Sequence, residues 1–152
     1  MSAAPSSVLA LNKRATYDYE ILETFEAGIA LLGHEVKSAR AGHCHLRGSF
    51  VHIRNGEAWL TNAYIAPYAK STNLRDPDPT RSRRLLLHHR ELHRLIGQHH
   101  AEHLTIVPLR IYLRRNHIKV AIALVRGKRK FEKRAAIKKR EDARHMRRAI
   151  LR

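Results

Sequence analysis

The chain of 152 residues is long enough for one domain with tails and too short for two ordinary domains. Its 30 Lys and Arg against 13 Asp and Glu give a formal charge of +17, which indicates a polyanionic partner, nucleic acid before others. A single cysteine excludes an internal disulfide, and no apolar run approaches the ~20 residues of a membrane-spanning helix, so we expect a cytoplasmic protein.

The chain begins with a segment, residues 1–11, that we expect to be a flexible leader, because its small and polar residues offer little apolar surface to bury. In residues 17–25 apolar and polar side chains alternate, which is the period of a half-buried strand. Ala27 and Gly28 then predict a turn, and the apolar residues 29–32 predict a second strand.

A short helix and a hairpin are predicted next. Residues 35–41 suit two helical turns that the following glycine would end. The dipeptide Asn55-Gly56 is a strong signal for a type I′ turn, since both of its central positions need a positive φ, and it joins predicted strands at 49–54 and 57–62. Trp59, in the second of these strands, is expected in the core.

The second half of the chain predicts a loop, a helix and another hairpin. Residues 67–84 combine Asp-Pro pairs with basic side chains and predict a long exposed loop. Residues 89–100 place leucines and an isoleucine on one stripe of a helix whose outer face is basic and rich in histidine. The β-branched runs at 105–113 and 118–125 predict the second hairpin.

Short strands in this number would leave costly open edges unless the sheet closed on itself. We therefore expect a mainly β protein with short α-helices, an antiparallel OB-like β-barrel formed by residues 12–126. The remaining residues, 127–152, hold twelve Lys and Arg against three acidic residues and form a basic C-terminal tail. Because the apolar stripe of this tail is narrow, we expect it to be disordered when free and helical when bound.

Five ordered blocks of the chain resemble the SsrA-binding protein (small protein B) family from Asn12 onward. The blocks are Asn12-Lys13-Arg14-Ala15, Glu26-Ala27-Gly28-Ile29, GHEVKSARAG from Gly33 to Gly42, Arg83-Arg84-Leu85-Leu86-Leu87, and Gly127-Lys128-Arg129. The resemblance implies a barrel that binds the tRNA-like domain of transfer-messenger RNA (tmRNA) and a tail that reaches the empty mRNA channel and decoding site of a stalled ribosome. It also implies elongation factor Tu and alanyl-tRNA synthetase as indirect partners.

The resemblance assigns RNA contacts in the barrel to Asn12, Lys13, Arg14, Glu26, Glu35, Lys37, Ser38, Arg40 and Leu86. His45, which stands where the family commonly carries Asn, is a further candidate for an RNA contact. Lys37 and Arg40, three residues apart on a short helix, could each meet a phosphate. Glu26 cannot attract a phosphate, so it would accept hydrogen bonds from a base edge or orient a cation such as Arg14. Leu86 would either fill the core with its neighbouring leucines or point outward and pack on an exposed base. The plainer interpretation of Lys37 and Arg40 is a solvated helix face. The plainer interpretation of Glu26 is an ordinary carboxylate at the end of a strand.

A second set of candidate residues lies in the tail and would contact the ribosome: Lys128, Arg129, Phe131, Glu132, Lys133, Arg134, Lys138, Lys139 and Arg140. Phe131 would stack on a ribosomal base while Lys133 and Arg134 neutralise phosphates. At Glu132 the family usually carries aspartate, and the longer side chain keeps the same chemistry. The plainer reading is a basic tail that only increases solubility.

Other functional classes find little support in the sequence. Cys44 lies between His43 and His45. On extended backbone the two histidine side chains face one way and the cysteine faces the other, so a thiol-His or metal site would need a special turn. His99 and His103 lack the partners of a structural zinc site, and there is no Walker or dinucleotide motif. We expect no catalytic residue, metal, cofactor or membrane partner. The alternative function is a generic basic RNA-binding OB-fold protein without tmRNA specificity.

Overall fold

A computed structural model describes residues 7–68, 78–127 and 130–150. In chain order the elements are β1 Ser7–Leu11, α1 Ala15–Asp18, β2 Tyr19–Ile29, α2 Gly33–Arg40, β3 Cys44–His45, β4 Phe50–Arg54, β5 Glu57–Thr61, β6 Tyr64–Ile65, β7 Arg83–Leu86, α3 His89–Glu102, β8 Thr105–Arg114, β9 His117–Gly127 and α4 Lys130–Ile150. The helix and both hairpins predicted within the first 125 residues are present as α3, β4–β5 and β8–β9. The short helix α2 is also as predicted.

The main sheet closes on itself. Its strands follow the order β8, β4, β5, β7, β2 and β9, and β9 pairs again with β8, so each strand of the ring has a hydrogen-bonded neighbour on both sides. All of these pairings are antiparallel. The closed ring satisfies backbone groups that an open sheet would leave at its edges, and it confirms the predicted antiparallel barrel with short helices.

The core fills the inside of this ring. Val120, Ile122 and Leu124, on alternate positions of β9, are fully buried there, and Ile118 packs against them. This is the apolar face that the alternation in residues 118–125 predicts. Helix α3 adds Leu95, which is completely buried in the same cluster. A smaller apolar cluster lies on the outer face of β8 and β9, where Ala15 of α1 packs against Val107, Ala123 and Val125.

Both hairpin turns depend on residues that accept a positive φ. Asn55 and Gly56 have φ values of 52° and 73°, as the type I′ turn predicted for this dipeptide requires. Arg115 and Asn116, with φ values of 49° and 64°, form the turn between β8 and β9. These turns set the register of the strands on either side, so they decide which side chains point outward.

Two expectations for the start of the chain are wrong. Ser7–Leu11 is not part of a flexible leader but forms strand β1, which pairs with β8 from Ser7 opposite Leu113 to Leu11 opposite Arg110. Ala27 and Gly28 do not form a turn, because β2 runs through them to Ile29 and pairs with β9 along most of its length. In each case a long-range partner strand holds residues whose local composition alone would not order them.

Two further expectations fail in the middle of the chain. Trp59 is only half-buried and lies on the outer face of β5, whereas its neighbours Ala58 and Leu60 fill the core. Arg83 and Arg84 belong to strand β7 and not to an exposed loop. The central part of that predicted loop, residues 69–77, lies outside the described residues.

An ion pair is buried beneath α2. Arg83 has no exposed surface, and its Nη2 lies 2.6 Å from Oε2 of Glu35, which is also buried. Arg83 also donates to the carbonyl oxygens of Ala63, at 2.7 Å, and Pro79, at 3.0 Å. Arg81 forms a second ion pair with Glu35. The Glu35 carboxylate therefore links α2 to β7. Both buried charges, on Glu35 and Arg83, have partners, and a buried ion pair is destabilising unless this is so.

The tail segment after β9 contains one long helix, α4, whose side chains from 141 to 150 are all exposed. Met146 and Ile150, on its narrow apolar stripe, are among these exposed side chains. Within the described residues no helix combines the length and the apolarity that spanning a membrane requires. That the tail is disordered when free and becomes helical on binding stays a prediction.

We predict that Glu35→Gln destabilises the barrel by about 3–5 kcal/mol, because it leaves Arg83 buried without a counter-charge. Glu57→Gln is the matched control, since Glu57 forms an exposed ion pair with Arg84 at 3.4 Å and should cost less than about 1 kcal/mol. Urea unfolding followed by circular dichroism measures both. Equal losses in the two variants would contradict a structural role for the buried pair.

We also predict that stability falls in acid as Glu35 takes up a proton. Burial by itself raises the pKa of Glu35, but hydrogen bonds from Arg81, the backbone of Leu32 and Arg83 outweigh it and hold the pKa below the ordinary value of 4.5. The stabilisation is therefore complete above about pH 4.5 and is lost as the pH falls through the lower folded-state value. Unfolding free energies measured from pH 7 to pH 3 should decline less for Glu35→Gln than for the native chain.

Candidate RNA interface

Glu26 lies at the centre of a polar cluster on the outer face of the barrel. Its carboxylate accepts a hydrogen bond from the Tyr112 hydroxyl at 2.6 Å and two from Arg114 at 2.8 and 3.0 Å. The hydrogen bond from Tyr112, helped by Arg114 and Lys119, lowers the pKa of Glu26 against the opposing effect of burial. The orienting cation is therefore Arg114 and not Arg14. Burial and the adjacent Glu26 carboxylate raise the pKa of Tyr112, which keeps its hydroxyl a donor.

The cluster contains three residues that the sequence reasoning did not select: Tyr112, Arg114 and Lys119. Lys119 of β9 pairs with Gly28 of β2 on one side and with Tyr112 of β8 on the other, so both side chains share the outer face with Glu26. Of the three, Lys119 alternates with the apolar residues of the predicted strand 118–125, so the sequence pattern already predicted that it points away from the core. Only the pairing of β2 with β9 reveals that they gather around Glu26.

Leu86 points outward, as one of the two readings of the leucine triplet predicts. Its side chain is 49% exposed, whereas Leu85 is buried. Leu86 lies directly opposite Gly28, and a Cβ added to that glycine would approach the Leu86 Cβ to 3.3 Å. Because Gly28 has no side chain, Leu86 can lie close against β2 beside the Glu26 cluster. The exposed leucine and the carboxylate thus belong to one continuous surface.

Helix α2 contributes one cation to the same end of the barrel. Arg40 Nη2 donates to the carbonyl oxygen of Asn116 at 2.8 Å, in the turn that follows Arg114. Lys37 is exposed and lies 5.6 Å from the centre of the Tyr68 ring. Arg40 therefore lies beside the β8–β9 turn, and Lys37 is a second exposed cation on the same helix. That this surface of α2 contacts RNA stays a prediction.

The same helix requires a correction at two positions. Glu35 and Ser38 are buried, so neither side chain is available to contact RNA in this structure. Glu35 instead holds Arg81 and Arg83, and its Oε1 accepts a hydrogen bond from the backbone of Leu32 at 2.8 Å. The conformation of α2, which presents Lys37 and Arg40, depends on this internal anchor.

The first block of the resemblance lies beside α1. Asn12 donates from Nδ2 to the Pro108 carbonyl at 2.8 Å, so it fixes the chain against β8, while Lys13 and Arg14 are exposed. Ala15, which follows, packs on the outer face of β8 and β9. The two cations therefore lie toward the end of the barrel from which the tail leaves. They do not contact Glu26 among the described hydrogen bonds and ion pairs.

His45 is exposed and stacks on Tyr64, with 4.7 Å between ring centres and 11° between ring planes. The adjacent Cys44 is partly buried, its thiol reaches the Leu9 carbonyl at 3.8 Å, and burial raises its pKa. A raised pKa disfavours the reactive thiolate. Nowhere in the described part of the chain do three or more His, Cys, Asp or Glu side chains gather as a metal site would need.

The tail and the Glu26 cluster lie far apart. Lys119 and Gly127 are eight positions apart on β9, which corresponds to about 26 Å at ~3.3 Å per residue. On α4, Arg134, Lys138, Lys139 and Arg140 are exposed, and the guanidinium of Arg140 lies 5.4 Å from the centre of the Tyr17 ring. Lys128 and Arg129 lie outside the described residues, as do the side chains of Phe131, Glu132 and Lys133.

Comparison with known proteins gives a consistent result along the whole chain. The family model for SmpB protein matches residues 9–152. The chain is similar to the SsrA-binding protein of Trichodesmium erythraeum, with 48% identity over 149 residues that cover 98% of this chain and 96% of the relative. It is 52% identical over 139 residues to the SsrA-binding protein of Sulfurihydrogenibium sp., with 91% of each chain covered.

A solved structure is also similar to this one. It is described as "tmRNA-SmpB: a journey to the center of the bacterial ribosome". It is 49% identical in sequence and matches with a TM-score of 0.66 over 88% of this chain and 95% of that chain.

We predict that Tyr112→Phe raises the pKa of the Glu26 carboxyl, because it removes the hydrogen bond that contributes most to lowering it. Carboxyl carbon shifts measured by NMR across a pH titration report this value directly. His45→Ala is the control, since it changes an aromatic residue that does not contact Glu26. An unchanged Glu26 titration in Tyr112→Phe would contradict the proposed dependence on Tyr112.

Proposed function

Because this chain belongs to the SmpB family of SsrA-binding proteins, we propose that it binds the tRNA-like domain of tmRNA and delivers that RNA to stalled ribosomes. The observation that carries the proposal is the identity of about half of all residues with SsrA-binding proteins over nearly the full chain. The similar solved structure, which concerns tmRNA-SmpB and the bacterial ribosome, supports both RNA partners.

In this proposal the barrel holds folded RNA through the outer face around Glu26. Lys37, Arg40 and Lys119 supply positive charge for phosphates, and release of counterions from the RNA drives this part of the binding. Glu26 is held ionised and oriented by Tyr112 and Arg114, so one of its lone pairs can accept from a base N–H. Leu86 offers apolar contact to the base or sugar beside it.

The tail has the second role in the proposal. With twelve Lys and Arg among 26 residues, it suits a channel whose walls are RNA, and message in that channel would exclude it. The tail would thus detect the absence of codons without reading any sequence. Phe131, Lys133 and Arg134 are proposed to stack and pair with ribosomal RNA at the empty decoding site.

The distance between the two surfaces supports this division. About 26 Å of β9 separates Lys119 from the start of the tail, so the two RNA partners would not compete for one surface. Asn12 fixes the adjacent segment to β8, which places Lys13 and Arg14 near the tail's exit. We assign these two cations to the ribosomal side. Elongation factor Tu and alanyl-tRNA synthetase would act through the bound tmRNA, in agreement with the family resemblance.

We predict that the protein prefers the isolated tRNA-like domain of tmRNA over bulk tRNA and unrelated duplex RNA at physiological salt. Nonspecific phosphate contacts typically give dissociation constants of only ~10⁻⁴–10⁻⁶ M under these conditions. Fluorescence anisotropy with each labelled RNA across a salt series measures the preference. Equal and equally salt-sensitive binding to all three would leave the alternative, a generic basic RNA-binding protein.

We predict that truncation after Gly127, where β9 ends, leaves affinity for the tRNA-like domain within about threefold and abolishes tagging of stalled chains. The barrel surface is intact in this variant, and only the loss of nonspecific charge should weaken binding. A reconstituted translation system stalled on a message without a stop codon provides the assay. Normal tagging by the truncated protein would contradict the role of the tail.

A further inference from the structure

The outer face of the barrel continues past Leu86 onto β5 and β4, where it carries an unusual row of side chains. His52, Trp59 and Arg84 lie directly opposite one another on three neighbouring strands. Neighbouring strands are ~4.8 Å apart, so the row spans about 10 Å. We call Phe50, His52, Trp59 and Arg84 the aromatic strip. Leu86, two residues after Arg84 on the same face of β7, joins the strip to the Glu26 cluster.

The side chains of the strip are partly open to solvent, and His52 is held in place by a hydrogen bond. Phe50 is 40% exposed, and its ring centre lies 6.2 Å from that of His52. The Nδ1 of His52 is hydrogen-bonded to the hydroxyl of Thr61 at 2.8 Å, which fixes the imidazole plane. Trp59 is half-buried between His52 and Arg84. Positioned rings lose little rotamer entropy on binding, a property of preformed stacking surfaces.

The guanidinium of Arg84, at the end of the strip, is accessible to an anion. Arg84 is about half exposed, and its ion pair with Glu57, 3.4 Å away, is also exposed. Such a pair contributes little in water, so a phosphate could replace the Glu57 carboxylate at small cost. Aromatic rings beside a replaceable guanidinium match the composition of surfaces that bind unpaired nucleotides.

From this geometry we propose that the aromatic strip is a stacking site for an unpaired nucleotide of the bound RNA, with Trp59 against the base and Arg84 against a phosphate. The inference rests on the proposed function, because it extends the same RNA across Leu86 onto β5 and β4. Continuity with that surface and the positive charge of Arg84 favour RNA as the occupant. The plainer role of such a row, cross-strand pairing that only stabilises the sheet, predicts no change on RNA binding.

The chain contains one tryptophan, so Trp59 fluorescence reports on the strip without any label. We expect saturation with the tRNA-like domain of tmRNA to quench Trp59 emission and to protect the indole from acrylamide. Trp59→Leu should weaken binding roughly 5- to 150-fold, the equivalent of ~1–3 kcal/mol for one stacked base. Trp59→Phe, which keeps an aromatic face, should lose far less.

A matched pair of arginine variants separates local contact from overall charge. Arg84→Ala and Arg126→Ala each remove one exposed cation that pairs with a glutamate of the neighbouring strand, but only Arg84 lies directly opposite Trp59. Arg84→Ala should therefore weaken binding several-fold more than Arg126→Ala. Urea unfolding of each variant shows whether a loss of affinity follows from a loss of folded protein.

The outcomes distinguish this inference from the proposed function. If the tRNA-like domain binds preferentially but Trp59 emission and acrylamide access stay unchanged, the strip is not a nucleotide site and the proposed function stands. If Trp59 is quenched and protected equally by tRNA and by the tRNA-like domain but not by duplex RNA, the stacking site is retained and tmRNA specificity is lost. Equal quenching by duplex RNA would overturn an unpaired nucleotide as the occupant. Full affinity in a well-folded Trp59→Leu protein would also overturn the inference.

Discussion

The pairing of β9 with both β2 and β8 is the constraint on which the rest of this structure depends. It closes the sheet into a barrel, and it extends over most of each strand. The same register that buries Val120, Ile122 and Leu124 turns Lys119 outward between Gly28 and Tyr112. A shift by one residue would exchange these faces, so the core and the candidate RNA surface are two consequences of one set of backbone hydrogen bonds.

Carboxylates in this basic chain serve two different purposes. Glu35 lies inside and neutralises Arg83, so that a cation can tie α2 to β7 without leaving an unpaired buried charge. Glu26 lies outside, where Tyr112 and Arg114 keep it ionised and oriented. In the proposed RNA complex, this fixed acceptor among positive charges would distinguish a base edge from a phosphate, which charge alone cannot do.

The outer face changes in character along the ring of strands. Beside β8 and β9 it is polar and charged, around Gly28 and Leu86 it is apolar, and across β5 and β4 it is aromatic. In the proposed RNA complex, phosphates, sugars and unpaired bases would each contact a different part of this surface. The tail follows β9 after Gly127, and in the described part of α4 the guanidinium of Arg140 lies 5.4 Å from the centre of the Tyr17 ring of α1.

The sequence determined those parts that local signals encode. The positive φ required at Asn55-Gly56, the alternation in residues 118–125 and the charge of the tail are properties of neighbouring residues, so the hairpins, the core face and an RNA partner could be predicted. Tertiary structure alone decided which residues meet from far along the chain. Ser7–Leu11 is ordered because it pairs with β8, and β2 continues through Gly28 because it pairs with β9. Glu35 is buried because it pairs with Arg83, and Trp59 lies on the outer face of β5. Each of these depends on a partner strand or charge distant in sequence, whose position follows only from closing the barrel.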